Sequence, residues 1–129
     1  MSAQVKHRCV LVADDDHYLP VMIAHMLGLE PGLEVLTANS GQAAQEHFAE
    51  RHIDVVLTDP LIGSPTGFEL LRWVQDHYPQ TLRLFMTAAM GSEYLDESVQ
   101  SGLLAGYLSK PFRCEELRRI IEEMLSGRV

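Results

Sequence analysis

Cysteine and positive charge are both scarce in this sequence of 129 residues. The two cysteines, Cys9 and Cys114, are far apart and form no CxxC motif, which argues against a disulfide framework and a cysteine-based zinc site. Lysine and arginine total 10 against 18 acidic residues, for a formal net charge of −8. Because nucleic-acid affinity depends largely on cations that neutralise phosphates, we expect no direct binding of DNA or RNA.

Long apolar runs are also missing. No stretch approaches the roughly 18 apolar residues that a membrane-spanning helix needs, and only a short apolar run, residues 9–13, follows the N-terminal segment. The sequence therefore predicts neither a membrane span nor a signal peptide, and we expect a cytoplasmic location. The composition, 47% hydrophobic and 22% charged, is typical of a globular chain, and we expect one domain over residues 1–129.

Short apolar runs alternate with longer amphipathic stretches, a pattern that predicts repeated β-α units around a mostly parallel sheet. The predicted strands are Arg8–Ala13, Leu33–Thr37, Asp54–Thr58, Arg83–Thr87 and Gly106–Leu108. The predicted helices are His17–Gly28, Gly41–Arg51, Gly67–His77, Ser92–Ser101 and Cys114–Ser126. We therefore expect an α/β fold in which helices cover both faces of a five-stranded sheet.

The residues at several predicted helix starts support these assignments. Thr66 and Glu69 have the spacing of a capping box, in which each side chain accepts a hydrogen bond from the other residue's amide. Asn39 or Ser40 can cap the second helix, and Asp16 can cap the first. Three of the five predicted helix starts therefore have a side chain suited to their free amide groups.

Polar side chains follow four of the five predicted strands. They are Asp14 and Asp15 after the first, Asp59 after the third, Thr87 at the end of the fourth and Lys110 after the fifth. Because ligands of parallel sheets bind beyond the carboxyl ends of the strands, we expect these side chains to form one site.

The chemistry of these side chains favours phosphoryl transfer. Two carboxylates about 5 Å apart repel by roughly 3 kcal/mol at an effective dielectric constant of 20, so a cation has to offset them. Mg²⁺ prefers carboxylate and water oxygens. Lys110 adds a movable positive charge, and the Thr87 hydroxyl can donate to an anion. Carboxylates, a divalent metal, lysine and threonine together suit a reaction that depends on positioning and charge neutralisation.

In order and spacing, these residues resemble a response-regulator receiver domain of two-component signalling. The matching residues are Asp14-Asp15, Asp59, Gly67, Thr87-Ala88, Tyr107 and Lys110-Pro111-Phe112. The resemblance covers essentially the whole chain. It implies a flavodoxin-like, doubly wound (βα)5 fold with strand order 2-1-3-4-5.

The resemblance also implies a role for each site residue. Asp59 would accept a phosphoryl group from the phosphohistidine of a histidine kinase or phosphotransfer protein. Asp15 and Asp59 would bind Mg²⁺ directly, together with the main-chain carbonyl of Leu61, and Asp14 would act through water. Lys110 would pair with the phosphoryl group. Such a domain is not a conventional enzyme, because it promotes only its own phosphorylation and slow dephosphorylation.

A conformational switch is implied as well. Thr87 would move toward the phosphoryl group, and Tyr107 would change rotamer as the readout. The surface formed by the fourth helix, fifth strand and fifth helix would then control an output domain or partner protein, or form a homodimer. Candidate residues of this surface are Met90, Tyr94, Leu103, Leu104, Arg118 and Arg119.

The sequence departs from the family pattern after Asp59. Gly63 stands where the family usually has proline, and Pro65 follows two positions later, which predicts an altered loop. Pro60 has no amide hydrogen to offer a phosphoryl oxygen. Leu61 and Ala89 cannot orient an attacking water, so we expect slow loss of the phosphoryl group.

Two other functions stay open at this stage. The first is a receiver-like module that docks partners without being phosphorylated, which the altered loop favours. The second is a haloacid-dehalogenase-like phosphatase, since Asp14-x-Asp16 superficially fits its motif. That enzyme needs a further acidic motif after a later strand, where this chain has Ser109-Lys110-Pro111.

Overall fold

Five strands alternate with five helices in the computed structural model, which describes residues 7–88 and 91–127. The strands are β1 (Arg8–Ala13), β2 (Leu33–Ala38), β3 (Val55–Thr58), β4 (Leu82–Thr87) and β5 (Gly106–Ser109). The helices are α1 (Leu19–Leu27), α2 (Gly41–Glu50), α3 (Gly67–His77), α4 (Ser92–Gln100) and α5 (Cys114–Ser126). Every predicted strand and helix is confirmed, and no end shifts by more than two residues.

The strands form one parallel sheet in the order β2-β1-β3-β4-β5, which confirms the predicted flavodoxin-like topology. In this order β1 and β3 are neighbours, with Ala13 opposite Thr58. Asp14 and Asp59 therefore leave adjacent strands at the same edge of the sheet. The carboxyl ends of β4 and β5 reach this edge too, so the topology positions a shared site there.

Both faces of the sheet are buried. One apolar cluster lies between the sheet and helices α1 and α5, and the other lies on the side of α2, α3 and α4. Side chains of a strand alternate between the two clusters, so that Phe85 belongs to one and Met86 to the other. This two-sided burial explains why the central strands are apolar throughout.

The predicted caps of α2 and α3 are confirmed, but Asp16 is not the N-cap of α1, which is Tyr18. The Ser40 hydroxyl accepts a hydrogen bond from the amide of Ala43, and Thr66 and Glu69 form the reciprocal capping box. The first helix starts at Leu19 rather than His17. Asp16 still binds the amides at this end, because its carboxylate accepts from Tyr18 at 2.7 Å and from Leu19 at 3.2 Å.

The two cysteines do not form a disulfide with each other. Cys9 is buried, Cys114 is half-buried, and both are free thiols. None of the helices in residues 7–88 and 91–127 is long and apolar enough to cross a bilayer. Ala89, which we expect to be unable to orient an attacking water, and Met90, a candidate for the output surface, lie outside the described residues.

Candidate functional site

A single lysine connects the two acidic strand ends. The Nζ atom of Lys110 lies 2.7 Å from Oδ2 of Asp14 and 2.7 Å from Oδ2 of Asp59. The amide of Lys110 also donates to the carbonyl oxygen of Thr87 at 3.0 Å, which fixes the lysine backbone at the end of β4. The structure thus brings together Asp14, Asp59, Thr87 and Lys110 as the sequence predicted.

The two carboxylates and the ammonium group are largely shielded from solvent. The side chain of Asp14 is 2% exposed, that of Asp59 16% and that of Lys110 20%. Burial alone lowers the pKa of Lys110, but the hydrogen bonds and charges of Asp14 and Asp59 outweigh burial and raise the pKa above its ordinary value. The ammonium form is therefore favoured, and it leaves one of the two negative charges uncompensated.

The backbone around Asp59 is held in place by close packing. The second carboxylate oxygen of Asp59 accepts a hydrogen bond from the amide of Leu61 at 2.8 Å. The amide of Gly67, the first residue of α3, donates to the carbonyl oxygen of Pro60 at 3.1 Å. A Cβ atom on Gly67 would lie 2.3 Å from the Asp59 carbonyl oxygen, so this approach requires glycine.

The loop that the sequence singled out packs against α2. Pro65 lies against Gly41, where a Cβ atom would come within 2.4 Å of the Pro65 carbonyl oxygen. Gly63, by contrast, is exposed, and a Cβ atom there would have no neighbour within 4 Å. Pro65 therefore anchors the loop through α2, while the position of Gly63 is open to solvent.

The acidic side chains have the oxygen chemistry that Mg²⁺ prefers. Asp15 is exposed and directly follows Asp14, whose first carboxylate oxygen accepts from the amide of Asp16 at 2.9 Å. The amides of Tyr18 and Leu19 lower the pKa of Asp16 and tie its carboxylate to α1.

In the described part of the chain, no three His, Cys, Asp or Glu side chains are gathered around one metal-binding point. The carboxylate oxygens of Asp14, Asp15 and Asp59 are nevertheless of the type that Mg²⁺ prefers.

Thr87 and Tyr107 lie on the strands that border α4. Thr87 is 3% exposed at the end of β4, and Tyr107 is half-buried in β5, opposite Phe85 of β4. The Tyr107 hydroxyl donates to Oδ1 of Asp96 in α4 at 3.0 Å. This hydrogen bond, then burial and the charge of Asp96, raises the pKa of Tyr107.

Exposed apolar side chains surround the acidic site. Tyr18 is 78% exposed, Leu61 68% and Met22 53%. A groove of about 470 Å³ next to Lys110 is lined by Tyr18, Met22 and Phe112 among others. An exposed apolar rim of this kind is typical of a surface that contacts another protein.

The residues expected on the α4-β5-α5 surface differ in exposure. Tyr94 and Arg119 are exposed, Leu103 and Arg118 are half-buried, and Leu104 is buried in the core. Leu104 is thus a core residue, and the ring of Tyr94 packs nearly perpendicular to that of Phe68 in α3.

Two residues of functional interest were not recognised from the sequence. Asp96 binds Tyr107 across 11 positions of sequence, and Arg83 donates from Nε to the carbonyl oxygen of Leu103 at 2.8 Å. Both contacts depend on how α4 sits on the sheet, and no local motif signals either one.

Comparisons with known proteins agree on one family. The response regulator receiver domain family matches residues 10–122. The chain is 32% identical over 116 residues to the regulatory protein AtoC of Escherichia coli K12, covering 90% of this chain and 25% of AtoC. It is 28% identical over 117 residues to the autoinducer 1 sensor kinase/phosphatase LuxN of Vibrio harveyi, covering 91% of this chain and 13% of LuxN. The chain therefore spans a quarter or less of these two relatives.

A solved structure agrees in fold as well. The chemotaxis response regulator CheY4 of Vibrio cholerae superposes with a TM-score of 0.82 at 29% identity, covering 92% of this chain and 99% of that one. The fold is therefore found in a solved chain of similar length.

Proposed function

The chain belongs to the response regulator receiver domain family, and from this premise we propose that Asp59 is the phosphoacceptor of a two-component phosphorelay. The observation that carries the proposal is the contact of Lys110 with both Asp59 and Asp14 at 2.7 Å. A receiver domain is a signalling module, and we assign this chain no reaction beyond its own phosphorylation and dephosphorylation.

The transfer step uses the charges of the acidic edge. A carboxylate oxygen of Asp59 attacks the phosphorus of a partner's phosphohistidine, and the nitrogen–phosphorus bond breaks as the new oxygen–phosphorus bond forms. The imidazole nitrogen leaves and takes up a proton. Lys110 then pairs with the phosphoryl oxygens, because a preorganised ammonium stabilises charge that develops on them.

Mg²⁺ is the cofactor that we propose for this step. Asp15, Asp59 and the main-chain carbonyl of Leu61 would bind the ion directly, and Asp14 would act through water. The ion would neutralise charge on the phosphoryl oxygens. Asp15 suits this role because it is exposed at the edge of the sheet, next to the buried Asp14.

The output of the reaction is a change in the α4-β5-α5 surface. Thr87 moves toward the new phosphoryl group, and Tyr107 changes rotamer in response. Phosphorylation thereby shifts the population between two conformers of this surface. The surface then controls an output domain or partner protein, or forms a homodimer.

The donor is a histidine kinase or a phosphotransfer protein that we place in the cytoplasm. Its histidine has to reach the largely shielded Asp59, so the partner has to cover the surface around that residue. Tyr18, Met22 and Leu61 expose apolar area at this position and would contact the partner. A receiver-like sequence within the sensor kinase/phosphatase LuxN is consistent with this kind of donor.

A phosphorylation assay separates this function from its alternatives. The protein is incubated with Mg²⁺ and acetyl phosphate, and the intact masses of the wild type and Asp59→Asn are compared. We expect one added phosphoryl group on the wild type alone. No addition to the wild type would favour a module that docks without phosphorylation, and turnover of a small phosphoester would favour a phosphatase.

The phosphoryl group should also be lost slowly. Leu61 is 68% exposed two positions after Asp59, and its side chain cannot orient an attacking water. We expect Leu61→Asn to accelerate hydrolysis severalfold, because an amide can hold a water near the phosphorus. The decay of phosphorylated protein after removal of the donor measures the rate, with Leu29→Asn at an exposed position just after α1 as the control. A wild-type half-life of seconds would contradict the prediction.

A further inference from the structure

Helix α4 contributes little to the core. Among its described side chains, only Leu95 and Ser98 are buried. Its N-cap residue, Gly91, has no side chain to bind the first amides, and its last turn carries no basic residue. A short helix with few buried groups and no side-chain cap depends on individual tertiary contacts to hold its position.

The loop after α4 is held firmly by Arg83 of β4. The guanidinium donates to the carbonyl oxygens of Leu103 at 2.8 Å and of Gly102 at 3.0 Å. It also donates to the carbonyl oxygen of Thr81 at 3.0 Å, which connects the loop before β4 with the loop after α4. The carboxyl end of α4 is therefore fixed to the sheet.

The middle of α4 is attached by a weaker contact. The Tyr107 hydroxyl donates to Oδ1 of the exposed Asp96 at 3.0 Å. Phe85 and Tyr107 are paired and pack on the same apolar cluster, and alternation along β4 directs Thr87 to that face as well. Asp96 thus binds the tyrosine that shares a face of the sheet with Thr87.

We propose that Asp96 is a positioning residue that acts through Tyr107 to favour the unphosphorylated arrangement of α4. This inference rests on the proposed function, because it assigns a restraint to the same switch. Any rotation of the Tyr107 side chain breaks its hydrogen bond to Asp96. Loss of the acceptor therefore raises the population of the other rotamer, and with it the affinity for a phosphoryl group or its mimic.

Binding of a phosphoryl mimic tests the restraint. Beryllofluoride with Mg²⁺ is titrated into the full chain of the wild type, Asp96→Ala, Asp96→Asn and Glu97→Ala. We expect Asp96→Ala to bind twofold to tenfold more tightly, the range of one hydrogen bond's net contribution. Asp96→Asn, which keeps an acceptor oxygen, should fall between. Glu97→Ala removes the same charge from the next position of α4 and should stay within twofold of the wild type.

The ionisation of Tyr107 gives a second readout that a purely structural role would not change. Alkaline absorbance titrations are compared with Tyr107→Phe, which isolates the signal of that residue. We expect Asp96→Ala to lower the pKa of Tyr107 toward the ordinary value and Glu97→Ala to leave it unchanged. A Tyr107 pKa that is the same with and without Asp96 would show that Tyr107 does not donate to Asp96, and would overturn the proposed role of Asp96.

The possible failures are distinguishable. If Asp96→Ala and Glu97→Ala change the affinity equally, the effect is one of net charge and the role of Asp96 is overturned, while the proposed function stands. If the wild type binds no beryllofluoride and gains no phosphoryl group, the proposed function is overturned, and the role of Asp96 in switching with it.

Discussion

One ammonium group faces two carboxylates at the edge of the sheet, and this imbalance determines how single residues contribute. The Asp14 side chain is almost fully buried, so it depends on Lys110 for compensation. Asp59 shares the same nitrogen and is slightly more exposed. Removing the cation leaves two like charges close together, whereas removing one acid leaves a balanced pair.

We therefore expect the loss of Lys110 to destabilise the protein and the loss of the Asp59 charge to restore stability when Lys110 is absent. Lys110→Met should lower the free energy of unfolding by about 3 kcal/mol, the low end for breaking a buried ion pair. In the double variant, Asp59→Asn should recover more than half of the stability that Lys110→Met loses, because the Asp14 carboxylate no longer faces a second carboxylate. Urea denaturation of the wild type, both single variants and the double variant gives the coupling energy. Additive effects would contradict a shared charge site.

Gly67 contributes to the site only because it has no side chain. Gly67→Ala would bring a Cβ atom within 2.3 Å of the Asp59 carbonyl oxygen and 2.5 Å of the Pro60 Cα atom. Both neighbours are backbone atoms, so the loop has to shift, and we expect a loss of about 1 to 3 kcal/mol together with slower phosphorylation. Gly63→Ala in the same loop is the matched control, since its Cβ atom would meet nothing within 4 Å. Equal effects of the two substitutions would refute this reasoning.

At the scale of helices and strands, the sequence was most informative where local chemistry decides the structure. The capping box of Thr66 and Glu69 and the cap at Ser40 depend on neighbours three positions away, and both were predicted correctly. The start of α1 was placed two residues early. Asp16 binds the amides of Tyr18 and Leu19 before regular helix begins, and periodicity alone cannot detect that turn.

Contacts between distant elements were not predictable in the same way. The polar strand ends pointed to Asp14, Asp59 and Lys110, because parallel strands end at a common edge. That one nitrogen would bind both carboxylates depends on side-chain placement across 96 and 51 positions of sequence. Arg83 and its carbonyl partners are a similar case, since an arginine within a strand carries no signal of what it will bind.

The hydrogen bonds of Arg83 should stabilise the loop after α4. Arg83→Met keeps much of the apolar stem but removes every donor, so the carbonyl oxygens of Gly102 and Leu103 lose a charged partner. We expect a loss of about 2 kcal/mol in unfolding free energy and faster amide exchange at Leu104. Arg72→Met, at an exposed position of α3, should change stability by less than about 0.5 kcal/mol. Unchanged exchange at Leu104 would show that this loop is held by other contacts.

At the scale of the whole molecule, the position of the acidic residues matters more than their excess. The formal net charge is −8, but charges on separate helix surfaces are screened over roughly 8 to 10 Å in physiological salt. Asp14 and Asp59 are different, because they lie next to each other and are shielded from solvent. A cation at this edge would therefore offset more charge repulsion than one beside a separate, exposed carboxylate.

Magnesium should consequently raise the stability of the entire domain. At ten times its dissociation constant, a ligand specific to the folded state adds about 1.4 kcal/mol, which for a domain of this size is a rise of roughly 5 °C in melting temperature. Calorimetry with increasing MgCl₂, against KCl at matched ionic strength, separates binding from screening.

Two substitutions locate the effect at the proposed site. Asp15→Asn removes a proposed direct ligand and should abolish the magnesium-dependent rise. Asp76→Asn removes an exposed carboxylate from α3 and should leave the rise intact. Equal rises in the wild type and both variants would mean that the ion acts on the overall charge. A rise that only Asp15→Asn loses would locate the ion at the end of β1, next to β3 and the proposed phosphoacceptor Asp59.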